Sequence, residues 1–153
     1  MADMPRPAKA KKDYYVAVGR RKRAVARVRG YKSIPVDLMF GDYVVKKGDL
    51  VVNKKNISEY FKGDVSRAIY EKPLKVVDGL NKYAFTIRVE GGGPSSQLGA
   101  VVLGMSRALS LMDGSFRKLL KKEKLLTRDQ RKRQRRMVGM GGKSRARKQS
   151  PKR

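Results

Sequence analysis

Lys82-Tyr83-Ala84-Phe85-Thr86-Ile87-Arg88-Val89-Glu90, then Gly91-Gly92-Gly93-Pro94, then Leu98, Val102, Met105, Leu109 and Met112: this stretch decides the fold. In its first nine residues Tyr83, Phe85, Ile87 and Val89 alternate with Lys82, Ala84, Thr86, Arg88 and Glu90. Successive side chains of a strand point to opposite faces, so one face is wholly apolar, which predicts a central, half-buried strand. The glycines and Pro94 end that pattern. The steps of four and three that follow place five apolar residues along one side of a helix.

On the N-terminal side, Tyr15-Val16-Ala17-Val18 and Ala24-Val25-Ala26-Arg27-Val28 read as two short strands around a cationic turn, Gly19-Arg20-Arg21-Lys22-Arg23. Tyr43-Val44-Val45 and Leu50-Val51-Val52 flank Lys46-Lys47-Gly48-Asp49 and predict a hairpin. Asn56 with Glu59 predicts a capped short helix through Phe61. Asp64 opens another that should end before Pro73, with a further turn from Pro73 closed by Gly79. On the C-terminal side, Asp113-Gly114-Ser115 breaks the long helix, and Phe116, Leu119 and Leu120 make a second amphipathic turn. Thr127 followed by Gln130 fits a capping box opening a basic helix from Arg128 to about Met137. Strands mixed with segregated helices predict an α+β fold.

The charge is unevenly spread. The 153 residues include 39 Lys or Arg, 13 Asp or Glu and no His, a net charge of +26. Residues 121–153 hold 15 of the basic residues against only Glu123 and Asp129, half the net charge, and none of the 11 aromatics, which all lie between Tyr14 and Phe116. The C-terminal end therefore cannot build a core, and one-sided cationic richness favours a polyanion partner. The expected organisation is a disordered basic extension over 1–13, a globular α+β domain over 14–126, and a basic helix with an extended tail over 127–153.

Several kinds of chemistry are excluded. Without Cys there are no disulfides or thiolate sites, and without His there is no imidazole base or ligand. No two acidic residues lie within four positions of each other, so nothing local suggests a metal-dependent active site. No metal, cofactor or catalytic residue is expected. Gly139-Met140-Gly141-Gly142-Lys143-Ser144 superficially suggests a P-loop, but that pattern needs a Gly where Met137 stands. Gly91 to Ser96, between a strand and a helix start, could cradle a phosphate; a tight, close-packed turn is the plainer reading.

Phosphate contacts from Lys and Arg remain, and RNA is the expected partner. The tail has no aromatics for base stacking and no amphipathic helix for lipid, and the longest nearly apolar run, Leu98 to Met105, is too short to span a bilayer. The start, Met1 to Lys12, has no apolar core of a signal peptide, so a soluble protein is expected. Arg20, Arg21, Lys22, Arg23 and Arg27, with Arg29, form one expected RNA-facing edge. Arg128, Arg131, Lys132, Arg133, Arg135, Arg136, Lys143, Arg145, Arg147 and Lys148 form the other. Two rival readings are a free nucleic-acid chaperone or histone-like packer, from charge alone, and a small-molecule kinase using the Gly91 to Ser96 turn.

Gly91, Gly92, Gly93, Gln97 with Ser96, Ala100, Gly104 and Ser106-Arg107-Ala108-Leu109 together resemble the signature of the universal small-subunit ribosomal protein nine family. The likeness continues, in order, at Gly19 to Lys22, Val25 to Val28, Ile57 to Phe61, Pro73-Leu74, Val77-Asp78, Leu126 to Asp129 and Lys152-Arg153. It implies a fold like the second domain of ribosomal protein five, a β-sheet packed on helices with a long extended basic tail. It implies a non-enzymatic constituent of a cytoplasmic or organellar ribosome, bound to small-subunit rRNA beside neighbouring head proteins, with no membrane partner and no stable homo-oligomer. It also implies that Lys152 and Arg153 touch the anticodon stem-loop of P-site tRNA. Two features depart from the family pattern: the region Gly30 to Val51 is longer than in bacterial-type relatives and should form an extra loop or hairpin, and Pro151 stands within the usual Ser-Lys-Arg ending.

Overall fold

The computed structural model describes residues 14–33 and 38–136, together with Val138. Its strands are β1 (Tyr15–Arg21), β2 (Ala24–Tyr31), β3 (Met39–Phe40), β4 (Tyr43–Val44), β5 (Leu50–Val52), β6 (Lys55–Asn56) and β7 (Ala84–Glu90). Its helices are α1 (Ile57–Tyr60), α2 (Asp64–Val76), α3 (Pro94–Met112) and α4 (Phe116–Lys122). One five-stranded sheet runs β1-β2-β7-β5-β6, antiparallel except for the β5/β7 pair, and β3 and β4 form a separate two-stranded hairpin. The α+β expectation holds, with β7 central and α3 across β1 and β2.

The first hairpin is tighter than its sequence suggests. Arg21 faces Ala24, so the turn is only Lys22 and Arg23, with Lys22 in the left-handed region at φ 50°. The three preceding residues of the expected turn belong to β1. Ala17 and Gly19 point inward beneath α3, and Arg21 lies against Gly99 on its first turns. Helix and strand approach so closely that a Cβ on Gly19 would fall inside the Ala100 carbonyl, and one on Gly104 would sit 2.5 Å from Val28 Cγ2. These two glycines are the seat of the helix on the sheet.

Helix α3 is buried over more of its circumference than the five-residue stripe implies. Ala100, Val101, Leu103, Ser106 and Ala108 are buried with Leu98, Met105, Leu109 and Met112, whereas Val102 is only partly so. Sheet on one side and α2 and α4 on the other explain the difference. The predicted Asn56 cap is present, its Oδ1 accepting from the Ser58 N–H at 3.0 Å.

Three expectations fail. The 43–45 and 50–52 segments do not pair; Val45 N–H donates to Leu38 O, while β5 joins the main sheet beside β7. A parallel long-range pairing has replaced the local one. Helix α2 does not stop before Pro73 but continues to Val76, because Pro73, Leu74 and Val77 are buried and their packing outweighs the roughly 3 kcal/mol cost of an interior proline. Gly79 N–H then closes the end on Leu74 O at 2.8 Å. Finally, Thr127 to Arg136 forms no helix. A helix polar on every face buries nothing to offset its backbone entropy, and its stacked cations repel. Asp129 instead accepts the Arg131 N–H at 3.1 Å, a local turn that competes with helix.

Strand β7 also differs from a half-buried strand. Ala84, Phe85, Thr86 and Ile87 are all buried, so both faces are covered over its first half. The cover on the outer face comes from described residues of the Gly30 to Val51 region. Tyr31, Val45, Val51 and Ala84 form a second small core there, with Tyr14, Leu38, Phe40 and Tyr43 packed on it.

Candidate nucleic-acid interface

The turn between β7 and α3 is held by a directional chain of hydrogen bonds. Asn53, at φ 46° in the β5–β6 turn, accepts the Val89 N–H at 2.9 Å and donates through Nδ2 to Val89 O at 3.0 Å and to the Tyr60 hydroxyl at 3.3 Å. The Tyr60 hydroxyl donates to Gln97 Oε1 at 3.1 Å, and Gln97 Nε2 donates to Gly91 O at 3.2 Å. Every polar atom in this chain has a role consistent with its chemistry. Gln97 is thus a brace for the glycine turn. Asn53 and Tyr60 carry little signal in the sequence; an Asn in a two-residue turn is common, and its backbone partner Val89 lies 36 residues away. Asn53→Ala strands both polar groups of Val89 and should cost about 1–3 kcal/mol in thermal or urea denaturation, while Tyr60→Phe should cost about 0.5–1.5 kcal/mol.

With Gly91 and Gly92 both at positive φ, the chain turns directly over the β1–β2 hairpin; a Cβ on Gly91 would lie 2.7 Å from Arg23 O. A cleft of about 710 Å³ opens at this junction. Lys22 and Arg23 form one wall, Gly92, Gly93 and Ser96 the floor, and the stretch from Lys132 to Arg136 the other wall. Three segments distant in sequence therefore meet around the N-terminus of α3. Lys22, Arg23, Lys132, Arg133, Arg135 and Arg136 are all exposed, and none forms an ion pair among the described residues.

The cationic wall is anchored by one carboxylate. Asp129 receives Arg131 at both ends, Nε to Oδ1 at 3.0 Å and Nη2 to Oδ2 at 2.9 Å, and lies 3.9 Å from Arg21 Nη2. Hydrogen bonds from the Arg131 side chain and backbone, with the Arg21 charge beyond, hold its carboxyl at about 2. A depressed carboxyl stabilises the folded contact above its ordinary value near 3.8, and that contribution disappears as pH falls through about 2. A carbon-detected NMR titration should place the Asp129 midpoint at about 2, and Arg131→Ala should return it toward 3.8. An Asp129 midpoint already near 3.8 in the unaltered protein would contradict the clamp. Arg21 is therefore partly committed to tying the tail to the body through Asp129, Arg131 holds that carboxylate in place, and Arg128 has a buried Nε with no partner among the described residues.

A second cationic surface lies on the outer face of the sheet. Arg27 on β2 stands directly across from Arg88 on β7, and Arg20 and Arg29 share the face. Arg88 pairs with Glu90 at 3.0 Å and Arg29 lies 5.1 Å from the Tyr14 ring centroid, whereas Arg27 has no such partner among the described residues. Like charges directly opposite in a ladder are unfavourable unless something neutralises them. Arg88 was legible only as a polar position of its strand. Lys143, Arg145, Arg147, Lys148, Lys152 and Arg153 lie outside the described residues, as does the 1–13 extension.

A family model described as ribosomal protein S9/S16 matches residues 19–153. The chain belongs to this family. The small ribosomal subunit protein uS9 of Maridesulfovibrio salexigens is 39% identical to it over 131 residues, covering 86% of this chain and 91% of that protein. For an S9/S16 family member the signature acquires a physical reading. Gly104 admits the sheet, Gln97 braces the turn, and Arg107 straps α3 to β1 by donating from Nη1 to Val18 O at 2.6 Å. The segment that covers the outer face, with Leu38, Phe40, Tyr43 and Val45, lies inside the matched range.

Proposed function

We propose that this chain is a non-catalytic structural constituent of the small ribosomal subunit that binds rRNA in the subunit head. The observation that carries the reading is the convergence of Lys22 and Arg23 with Lys132 to Arg136 around the glycine turn, with no carboxylate lining the cleft among the described residues. Such a surface positions phosphates rather than reading bases. Membership of a ribosomal protein family and the name of the Maridesulfovibrio salexigens relative support the assignment to the small subunit. Residues 14–126 act as the docking body and 127–153 as the arm, in the ribosome of the cytoplasm or of an organelle. The arm ends at P-site tRNA, where Lys152 and Arg153 contact the anticodon stem-loop; neighbouring head proteins complete the surroundings.

Binding to small-subunit rRNA measured against salt tests the reading. Neutralising Z phosphates gives a slope of log affinity on log salt of roughly −0.7Z to −0.9Z. Engagement of the cleft and the sheet face together predicts a slope of about −5 or steeper; a flat response would contradict rRNA docking. For the arm, deletion of Lys152 and Arg153 should leave subunit assembly nearly intact and weaken P-site tRNA affinity. Unchanged tRNA affinity would remove that contact from the account.

A further inference from the structure

We infer that the N-terminus of α3 is a dedicated seat for a single RNA backbone phosphate, an inference that rests on the rRNA-binding reading above. The floor of the cleft supplies donors that the fold itself does not use. The Gly93 and Ser95 N–H groups donate to no described carbonyl, since the first turn is closed instead by Ser96 N–H and Gln97 N–H on Gly93 O at 2.9 and 3.0 Å. Ser96 is 9% exposed and lines the cleft, and its hydroxyl, which has no hydrogen-bond partner among the described residues, is not sealed from solvent. A hydroxyl held in this way can donate to an anion without first giving up a hydrogen bond inside the protein. The dipole of a 19-residue helix favours negative charge at this end, and Lys22, Arg23 and the Lys132 to Arg136 wall supply cations from two other segments. A phosphodiester presents two anionic oxygens, which the backbone donors and the Ser96 hydroxyl bind from below while the cations neutralise from the sides.

Gly93 allows this to be tested without damaging the fold. Its φ is −101°, and nothing lies within 4 Å of an added Cβ. Aspartate is a preferred residue at the position it occupies, just before the first helical residue. Gly93→Asp should therefore melt at or above the unaltered protein while placing its own carboxylate in the phosphate seat. Gly114, outside the cleft and equally open, gives Gly114→Asp as a control with the same change in charge. Affinity for small-subunit rRNA should fall at least tenfold for Gly93→Asp and less than threefold for Gly114→Asp, with the salt slope of the first reduced by about one. In the unaltered full chain, inorganic phosphate should shift the amide resonances of Gly93 and Ser95 and compete with rRNA.

Equal rRNA affinities for the two variants would overturn the phosphate seat, as would amide resonances that do not respond to inorganic phosphate, whatever the stability of Gly93→Asp. Inorganic phosphate that shifts the amides while Gly93→Asp binds rRNA normally would mean a free-phosphate site, and would equally overturn it. Failure of the unaltered protein to bind rRNA would instead contradict the functional reading beneath it.

Discussion

Gly19→Val should unfold the protein or lower its stability by at least about 3 kcal/mol, read as the urea midpoint at constant slope. Overpacking a core usually costs about 1–3 kcal/mol because flexible side chains absorb part of the added volume. At Gly19 the obstacle is backbone: the Ala100 carbonyl and the Gly104 N–H occupy the space a side chain needs. Neither can yield without lifting α3 from β1, and with it the burial of Ala17, Ala100 and Val101. Against a typical total of about 5–15 kcal/mol, the loss is a large share of the whole. Gly104→Val should behave similarly, since its Cβ would meet Val28 Cγ2 and the Gly19 backbone. An unchanged midpoint for either variant would mean that the helix does not sit on the sheet as described.

The second large effect is on RNA affinity. Replacing Lys132, Arg133, Arg135 and Arg136 by alanine together should leave the melting temperature within about 2 °C of the original, because all four are exposed and belong to no core cluster or ion pair among the described residues. The same change should weaken binding to small-subunit rRNA about a hundredfold near 0.15 M salt and make the salt slope shallower by about three, as expected for four lost phosphate contacts. Binding measured across a salt series separates this from misfolding, since a misfolded protein would lose the cooperative melt. Affinity within a factor of three of the original, with the fold intact, would mean that the arm beside the cleft does not meet RNA.

How much of this was legible in the sequence depended on how local the cause was. The β7 and α3 patterns could be read because each buries a face with a fixed period, and the Asn56 cap because its hydrogen bond is made two residues away. The β5 pairing could not be read. Leu50 to Val52 is equally consistent with a hairpin to 43–45, and only the parallel register with Phe85 to Ile87 distinguishes the two. Pro73 is a local stop signal overruled by burial of the turn around it. Thr127 with Gln130 is a local start signal overruled by a cationic segment with nothing to bury and by the Asp129 turn.

The candidate site divides in the same way. Its cations were visible as charge, and the glycine turn as a possible phosphate cradle that a plain turn explained as well. What changes the balance is the meeting of Lys22, Ser96 and Lys132 to Arg136 in one cleft, a property of the fold. The burial of Ser96 and the Asn53-Tyr60-Gln97 brace have the same origin. Residues were identifiable by type; their convergence was not.

The central claim is that this chain works as part of the small ribosomal subunit, and sedimentation of a cell extract through sucrose gradients in low and high salt tests it most directly. The account predicts that the chain comigrates with the small subunit and stays there through a moderate salt wash, because the body and the arm hold rRNA together. Recovery mainly in light fractions, or with DNA, would contradict it and favour a free nucleic-acid packing protein.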